Sequence, residues 1–464
     1  MAGYVTPVVS YTPESGRSPA PPAREAAAAI YLRADTLMGK RRRRREVLTA
    51  VEIGTRSIKV VIGEFHEDHV LTLLGIGEEP SMKVMKGEIG DPQTVQKQLD
   101  KALVAAEDAA GEPIKNVFLA VTGSHLGSVN SIGSTIIHSY DPHITAEDVE
   151  LAEQNVWNCT LPPDREILHR FRRQYLVDGR EVDNPVGLFG GKLEADGHII
   201  FGQQNRLNSS RHLITEAIGT EEDEPKAVVF SGVAAALGVL GPEETEKGAM
   251  VIDLGAGVTE YAVFTGEARC LHSGQVTVGC EHLANDLSLA LQLPVQRCRE
   301  LVEGMKDLGA KARMTQDGGT RMLDVEPTPG KPLRKIPVAT VEHVVELRLQ
   351  ELFQIIRHDL ESKDMLKRIG SGIRLTGGGA LIPEILDLAR QIFDMPVTLG
   401  TPRLVNGPKE IINSPRYATP IGILRFGRTA MANLQPPVLS LFEQLRQDIL
   451  SIFRLLMRWR PFNW

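Results

Sequence analysis

An α/β fold whose second half echoes its first is the architecture the sequence predicts, and three observations predict it. Apolar, strand-like runs twice end on an acidic residue and a glycine turn, at Glu52-Ile-Gly54-Thr55-Arg56-Ser57 and at Asp253-Leu-Gly255-Ala256-Gly257-Val258. A third glycine turn, Thr376-Gly377-Gly378-Gly379, follows another short apolar run and precedes a helical pattern. The chain has 464 residues, and at roughly 150 residues per domain that is enough for about three domains with cores of their own.

Taken in order, residues 1–46 are rich in Pro, Ala and Ser and finish in Lys40 and five arginines. Such a composition buries too little apolar area to fold, so the segment reads as a disordered extension. Its arginines offer either a polybasic membrane contact or only a solvated tail, and no apolar core of signal-peptide length follows them. Met38 is a second candidate start. Runs 47–53, 58–65 and 70–77 read as strands, 92–110 as a helix and 116–121 as a strand, a sheet with a helix on it over 47–130. Block 131–219 follows. There Thr145-Ala-Glu-Asp148 resembles a capping box, 166–177 and 198–202 read as strands, and the polar, Gly-rich stretch between them as loop.

Strand, glycine and helix return at 227–240, and two strands surround the second turn within 249–265, so 220–300 reads as the counterpart of the first sheet. Val341, Val344, Val345, Leu352, Ile355 and Ile356 put an apolar stripe on a helix over 339–360, inside a block 301–370. A strand at 373–375, the third turn and a helix over 382–393 open a return segment, 371–430. Gln435-Pro-Pro437 makes 431–437 a linker.

Composition excludes several classes. Hydrophobic residues make up 42%, charged residues 24% and aromatics 5%, as in an ordinary globular protein. No stretch approaches the roughly 18 apolar residues of a membrane span. The formal charge of −7 conceals +6 on residues 1–45 and +2 on 438–464, which leaves −15 on the body. An acidic body with basic ends suits an anionic membrane better than nucleic acid. Cys159, Cys270, Cys280 and Cys298 form no CxxC pair, as in a reducing compartment. Cys270-x-His272 and Cys280-x-His282 leave two readings open: a zinc shared between two strands, or buried thiols beside strand-borne histidines.

The three turns carry the chemistry. Glycine lets successive backbone N–H groups converge on phosphate oxygens, and an acidic residue ahead of the turn can hold a hydrated Mg²⁺. None matches GxxxxGK[ST] or GxGxxG, so neither a P-loop nor a Rossmann site is the template.

In that order the turns resemble those of the actin, sugar-kinase and heat-shock-chaperone superfamily, which implies a ribonuclease-H-like fold of two lobes that clamp ATP. Within it the chain resembles the bacterial FtsA family from about Val47 onward. The most specific likeness is Ile167-Leu168-His169, Tyr175-Leu-Val-Asp178-Gly179, Asn184-Pro185-Val186-Gly187 and Leu193-Glu194-Ala195-Asp196, the motifs of an inserted subdomain. Tyr417-Ala418-Thr419-Pro420-Ile421-Gly422 resembles the closing connection between the lobes.

Carried over residue by residue, the resemblance implies Gly54, Thr55, Arg56 and Lys59 at the first phosphate loop. It implies Asp253, Gly255, Gly257 and Thr259 at the second, and Gly377, Gly378 and Gly379 at the adenosine. Glu52 and Asp253 become the candidate catalytic carboxylates, with Asp253 holding Mg²⁺ through water. Glu52, Ala256, Val258 and Glu260 depart from the family pattern, and an acid–lysine pair for the ribose is missing around 298–302. ATP binding with weak or absent hydrolysis is the expectation.

Val438, Leu441, Phe442, Leu445, Ile449, Ile452, Phe453, Leu456 and Trp459 fall on one face of a terminal basic helix. Such a helix can lie in a membrane surface, where apolar insertion outweighs a net charge of +2; packing on the body is the other reading. The resemblance further implies a peripheral protein of the cytoplasmic face at the division septum, anchoring FtsZ by its carboxyl-terminal peptide, with Arg348 at the peptide site. Head-to-tail self-association and other divisome proteins complete the expected partners. A sugar-kinase-type phosphotransferase and an actin-like pilus-assembly adaptor are the alternatives.

Overall fold

The computed structural model describes residues 46–434 apart from 67–69, 138–142, 220–223, 267–268, 312 and 315–318. The segment 1–45 and everything from 435 onward, including the anticipated membrane helix, lie outside the described residues. No helix among the described residues is long and apolar enough to cross a membrane.

Apolar residues on both faces of Glu46–Ile53 and Ser57–Phe65 suit strands covered on both sides. The two pair antiparallel with Glu52 opposite Lys59, and Leu71–Pro80 adds a third strand. Helix Pro92–Ala110 begins with proline in its first turn and ends at a left-handed Gly111. It lays Val95, Leu99, Leu103 and Ala106 into the core and delivers the chain to Val117–Val121, parallel to the first strand. Ala227–Phe230 pairs parallel beyond that. Numbered along the chain, these strands lie in the order third, second, first, fourth, fifth, with Val405–Asn406 beyond the third. The second sheet repeats the order with Arg269–Val276, Thr259–Thr265, Ala249–Leu254, Ile373–Thr376 and Val397–Leu399.

The boundary expected at 220 therefore falls too early. Ala227–Phe230 and helix Ser231–Val239 complete the first lobe's core, because the block before them is an insertion. The return segment is likewise divided. Its strands Ile373–Thr376 and Val397–Leu399 finish the second sheet, while helix Ala418–Leu434 packs on helix Ser231–Val239 and returns Ile421, Ile423 and Leu424 to the first core.

The insertion is a four-stranded sheet in the order Leu126–Ile136, Lys192–Gln203, Arg165–Val177, Arg180–Val182. Helix Ala146–Trp157 covers it over Ile144, Val156, Tyr175 and Leu193, and Thr145 and Asp148 form the reciprocal capping box. Much of the stretch expected as loop is strand, at Arg180–Val182 and again from Lys192. Gly197 sits there because a side chain would strike Val156 and Trp157 of the covering helix. Two histidines fasten the insertion. His169 Nε2 accepts the Phe230 N–H at 3.0 Å, and burial pushes its pKa down to about 4, which keeps the ring neutral as an acceptor. His198 Nε2 meets Ser273 Oγ at 2.8 Å on the edge strand of the second sheet.

Candidate functional site

The two acid–glycine turns and the third glycine turn meet at one cavity of about 450 Å³ between the sheets. The turns are built alike. Gly54 N–H donates to Ser57 O at 3.1 Å, and Gly255 N–H donates to Val258 O at 3.0 Å. Two residues ahead of each glycine stands the acid, Glu52 or Asp253, and each faces a partner on the adjoining strand, Lys59 or Glu260. Gly257 brings the turns together: a Cβ there would lie 2.5 Å from Thr55 Oγ1. Gly377 has φ +83° and no room for a Cβ beside Asp253 Oδ1 and the Leu254 carbonyl, so only glycine serves at that strand end.

The charges are unevenly placed. Lys59 Nζ lies 2.8 Å from Glu52 Oε2. Asp253 and Glu260 are both buried, and Lys59, whose charge also reaches Asp253, is paired with Glu52. Thr419 Oγ1 donates to Asp253 Oδ2 at 2.6 Å, and Thr122 donates to Glu260. Burial, with a further push from the Glu52 charge, raises Asp253 to about 6. Glu260 is raised well above the carboxylate range by burial and then by Asp253. A site that presents acids in this state, flanked by bare backbone, suits a divalent cation and the phosphates it accompanies. Among the described residues no group of three or more ligating side chains converges on a metal position.

Of the residues the sequence singled out, Glu52, Gly54, Thr55, Arg56, Lys59, Asp253, Gly255, Gly257, Gly377, Gly378 and Gly379 line this cavity. Thr259 does not: it is fully buried and its hydroxyl donates to Val278 O at 2.7 Å, away from the opening. Just beyond the stretch 298–302, where the expected acid–lysine pair is missing, Glu303 and Lys306 lie on the cavity wall. They stand on either side of Gly304, where helix Val295–Glu303 ends and helix Met305–Lys311 begins. Sequence reasoning also missed Thr122, Ser231 and Arg416 as lining residues, and the only signal for Thr419 was its place in the closing motif.

Two further expectations change. Cys280 and His282 stand in the first turn of helix Cys280–Leu291 rather than on a strand, with His282 Nδ1 accepting from Gly279 N–H at 3.1 Å. His272 Nε2 is taken by Asp359 at 2.6 Å, and among the described residues no group of three or more metal-ligating side chains forms. Arg348, on helix Val338–Ser362, is away from the cavity. Its Nε and Nη2 grip Asp286 at 2.6 and 3.0 Å, and its Nη1 meets Glu351 at 2.5 Å.

The duplicated strand order, the cleft between the sheets and the inserted sheet define an actin-like, two-lobed α/β protein. Among solved structures, a chain of a PilM–PilN type IV pilus biogenesis complex shares this fold with a TM-score of 0.56 at 14% identity, over 85% of this chain and 100% of that one. In sequence, residues 123–201 match the SHS2 domain inserted in FtsA, and residues 250–422 match the family described as cell division protein FtsA, together more than half of the chain. Cell division protein FtsA of Pseudomonas aeruginosa is 29% identical over 383 residues, 82% of this chain and 89% of that protein. Its counterpart in Escherichia coli K12 is 28% identical over 397 residues, 84% and 92%. The chain belongs to the FtsA family of cell division proteins.

Proposed function

We propose that this chain is an ATP-binding adaptor that fastens the FtsZ ring to the inner face of the cytoplasmic membrane and helps assemble the divisome. The observation that carries the nucleotide part is the meeting of three glycine turns at one cavity, whose volume falls within the range of small-molecule pockets. The turn N–H groups and Lys59 would take the phosphates, and the wall bearing Glu303 and Lys306 would take the nucleoside. Asp253 would hold magnesium through water, and the ion would supply neutralisation of phosphate charge. Glu52 carries its carboxylate about one methylene further out than aspartate, and a misplacement near 1 Å costs on the order of a hundredfold in rate. Binding without brisk hydrolysis is the consequence.

Family membership supports the FtsZ and membrane roles. The terminal helix 438–464 would insert its apolar face in the bilayer surface. Arg348 would exchange Asp286 for a carboxylate of the FtsZ tail, which its fork takes in two hydrogen bonds. Self-association head to tail would spread the anchors along the ring.

One pelleting experiment tests the whole reading. Intact chain should sediment with anionic vesicles, retain radiolabelled ATP with magnesium, and recruit an FtsZ-tail peptide. Removal of residues 438–464 should abolish sedimentation alone, Arg348→Glu should weaken the peptide at least tenfold, and Asp253→Ala should weaken ATP alone. Vesicle binding that survives the truncation, or ATP binding indifferent to Asp253, sinks the corresponding part.

A further inference from the structure

At the mouth of the cavity an ion pair joins the lobes: Arg56 Nη2 lies 2.5 Å from Glu303 Oε1. Each partner is anchored to its own lobe. The Arg56 turn is closed by the Gly54–Ser57 hydrogen bond, and the Arg56 carbonyl accepts from Ser81 N–H at 3.0 Å. Glu303 ends a helix whose Cys298 and Val302 lie in the second core, and Arg299 Nε holds that helix to Glu281 at 2.6 Å. The pair therefore cannot persist if the lobes separate there.

The equivalent position in the second turn is Gly257, so the fold of such a turn asks nothing of the side chain at this place. Arg56 is free for another task, and it reaches across the opening. Both side chains are about half exposed, 49% and 52%, so water competes for the pair and it can break and reform. Such an exposed pair adds little to stability.

We propose that Arg56 and Glu303 form a latch across the mouth of the cavity that slows release of a bound nucleoside triphosphate. The inference rests on the nucleotide reading of the cavity and adds a gate to it. The latch predicts that the two residues act as one unit, whereas two independent ligands of phosphate and ribose act separately.

The experiment is the release of radiolabelled ATP from the full chain into excess unlabelled ATP, at low salt and at about 0.5 M salt. Arg56→Ala and Glu303→Ala should each speed release about two- to fivefold at low salt, as expected for an exposed pair. The double variant should be no faster than either single one. The exchanged pair, Arg56→Glu with Glu303→Arg, should return release to within about twofold of the natural chain, and high salt should shrink all the differences. Additive effects, or an exchanged pair as fast as the double alanine variant, overturn the latch while leaving the nucleotide site standing. A natural chain that retains no ATP at all overturns the nucleotide reading and the latch with it.

Discussion

The two acid–glycine hairpins share strand register, turn hydrogen bond and position of the acid, yet they differ in the residue opposite that acid. In the first, Lys59 faces Glu52 and the pair is internally neutral. In the second, Glu260 faces Asp253, and two buried carboxylates stand side by side. The same backbone thus makes one wall that is electrostatically complete and one that is not. The duplicated geometry carries opposite charge arrangements on its two walls: an ion pair in the first and a pair of buried acids in the second.

The largest effect should come from making the first hairpin resemble the second. Lys59→Met keeps most of the volume and removes the cation, which leaves Glu52 unpaired in a site where its side chain is only 20% exposed. Removing one partner of a part-buried pair such as this costs about 3 kcal/mol, the low end of the range for fully buried pairs. Chemical denaturation of the nucleotide-free chain should show that loss. A midpoint unchanged from the natural protein would mean that the first wall is no more complete than the second.

An effect of similar size separates the hairpins by pH. Asp253 holds its proton to about pH 6 in the folded chain, whereas an unfolded aspartate releases it near 3.9. Between those values the folded state binds more protons, so stability falls as pH rises and levels off above the folded pKa. Two units correspond to about 3 kcal/mol. Glu260, pushed up by burial and then by Asp253, acts with the same sign. Glu78, Glu166 and Glu244 are held below the usual range and act with the opposite sign. The measurement is therefore the difference between the natural chain and Asp253→Asn in magnesium-free buffer, which reads the two acids of the second wall together. If that difference does not vary between pH 4 and 6.5, burial does not tax the second wall as described.

Much of this was legible locally. The hairpins declare themselves by an acid and a glycine after an apolar run. Helix Pro92–Ala110 shows its proline start and glycine stop, and Thr145 and Asp148 mark a helix start three residues apart. Local pattern failed where distant packing decides. Gly197 looks like a loop residue until the helix above it is in place. Ala227–Phe230 follows the insertion in sequence but pairs with Val117–Val121 ahead of it. In the site, Asp253 was readable but the Thr419 hydroxyl that reaches it is 166 residues away, and Thr259 pointed elsewhere because the Val278 carbonyl claims its hydroxyl. Glu303 and Lys306 were overlooked because nothing local marks them; only the packing of the second lobe against the turns sets them on the cavity wall.

The smallest of the three effects tests whether the hairpins act on each other. Position 257 is bare while the matching position 56 carries a long side chain, because the second turn must slide beneath Thr55 and the backbone of Lys86. A Cβ on Gly257 would meet Thr55 Oγ1 at 2.5 Å and the Lys86 Cα at 2.9 Å. Overpacking of this kind costs about 1–3 kcal/mol, so Gly257→Ala should lower the denaturation midpoint by that amount. Adding Thr55→Ala removes the first clash and leaves the second, which is backbone, so the double variant should recover part of the loss. Residues in contact couple in this way, whereas sites that do not touch add. Strict additivity would show that the two turns do not meet in solution and that the walls of the cavity are set independently.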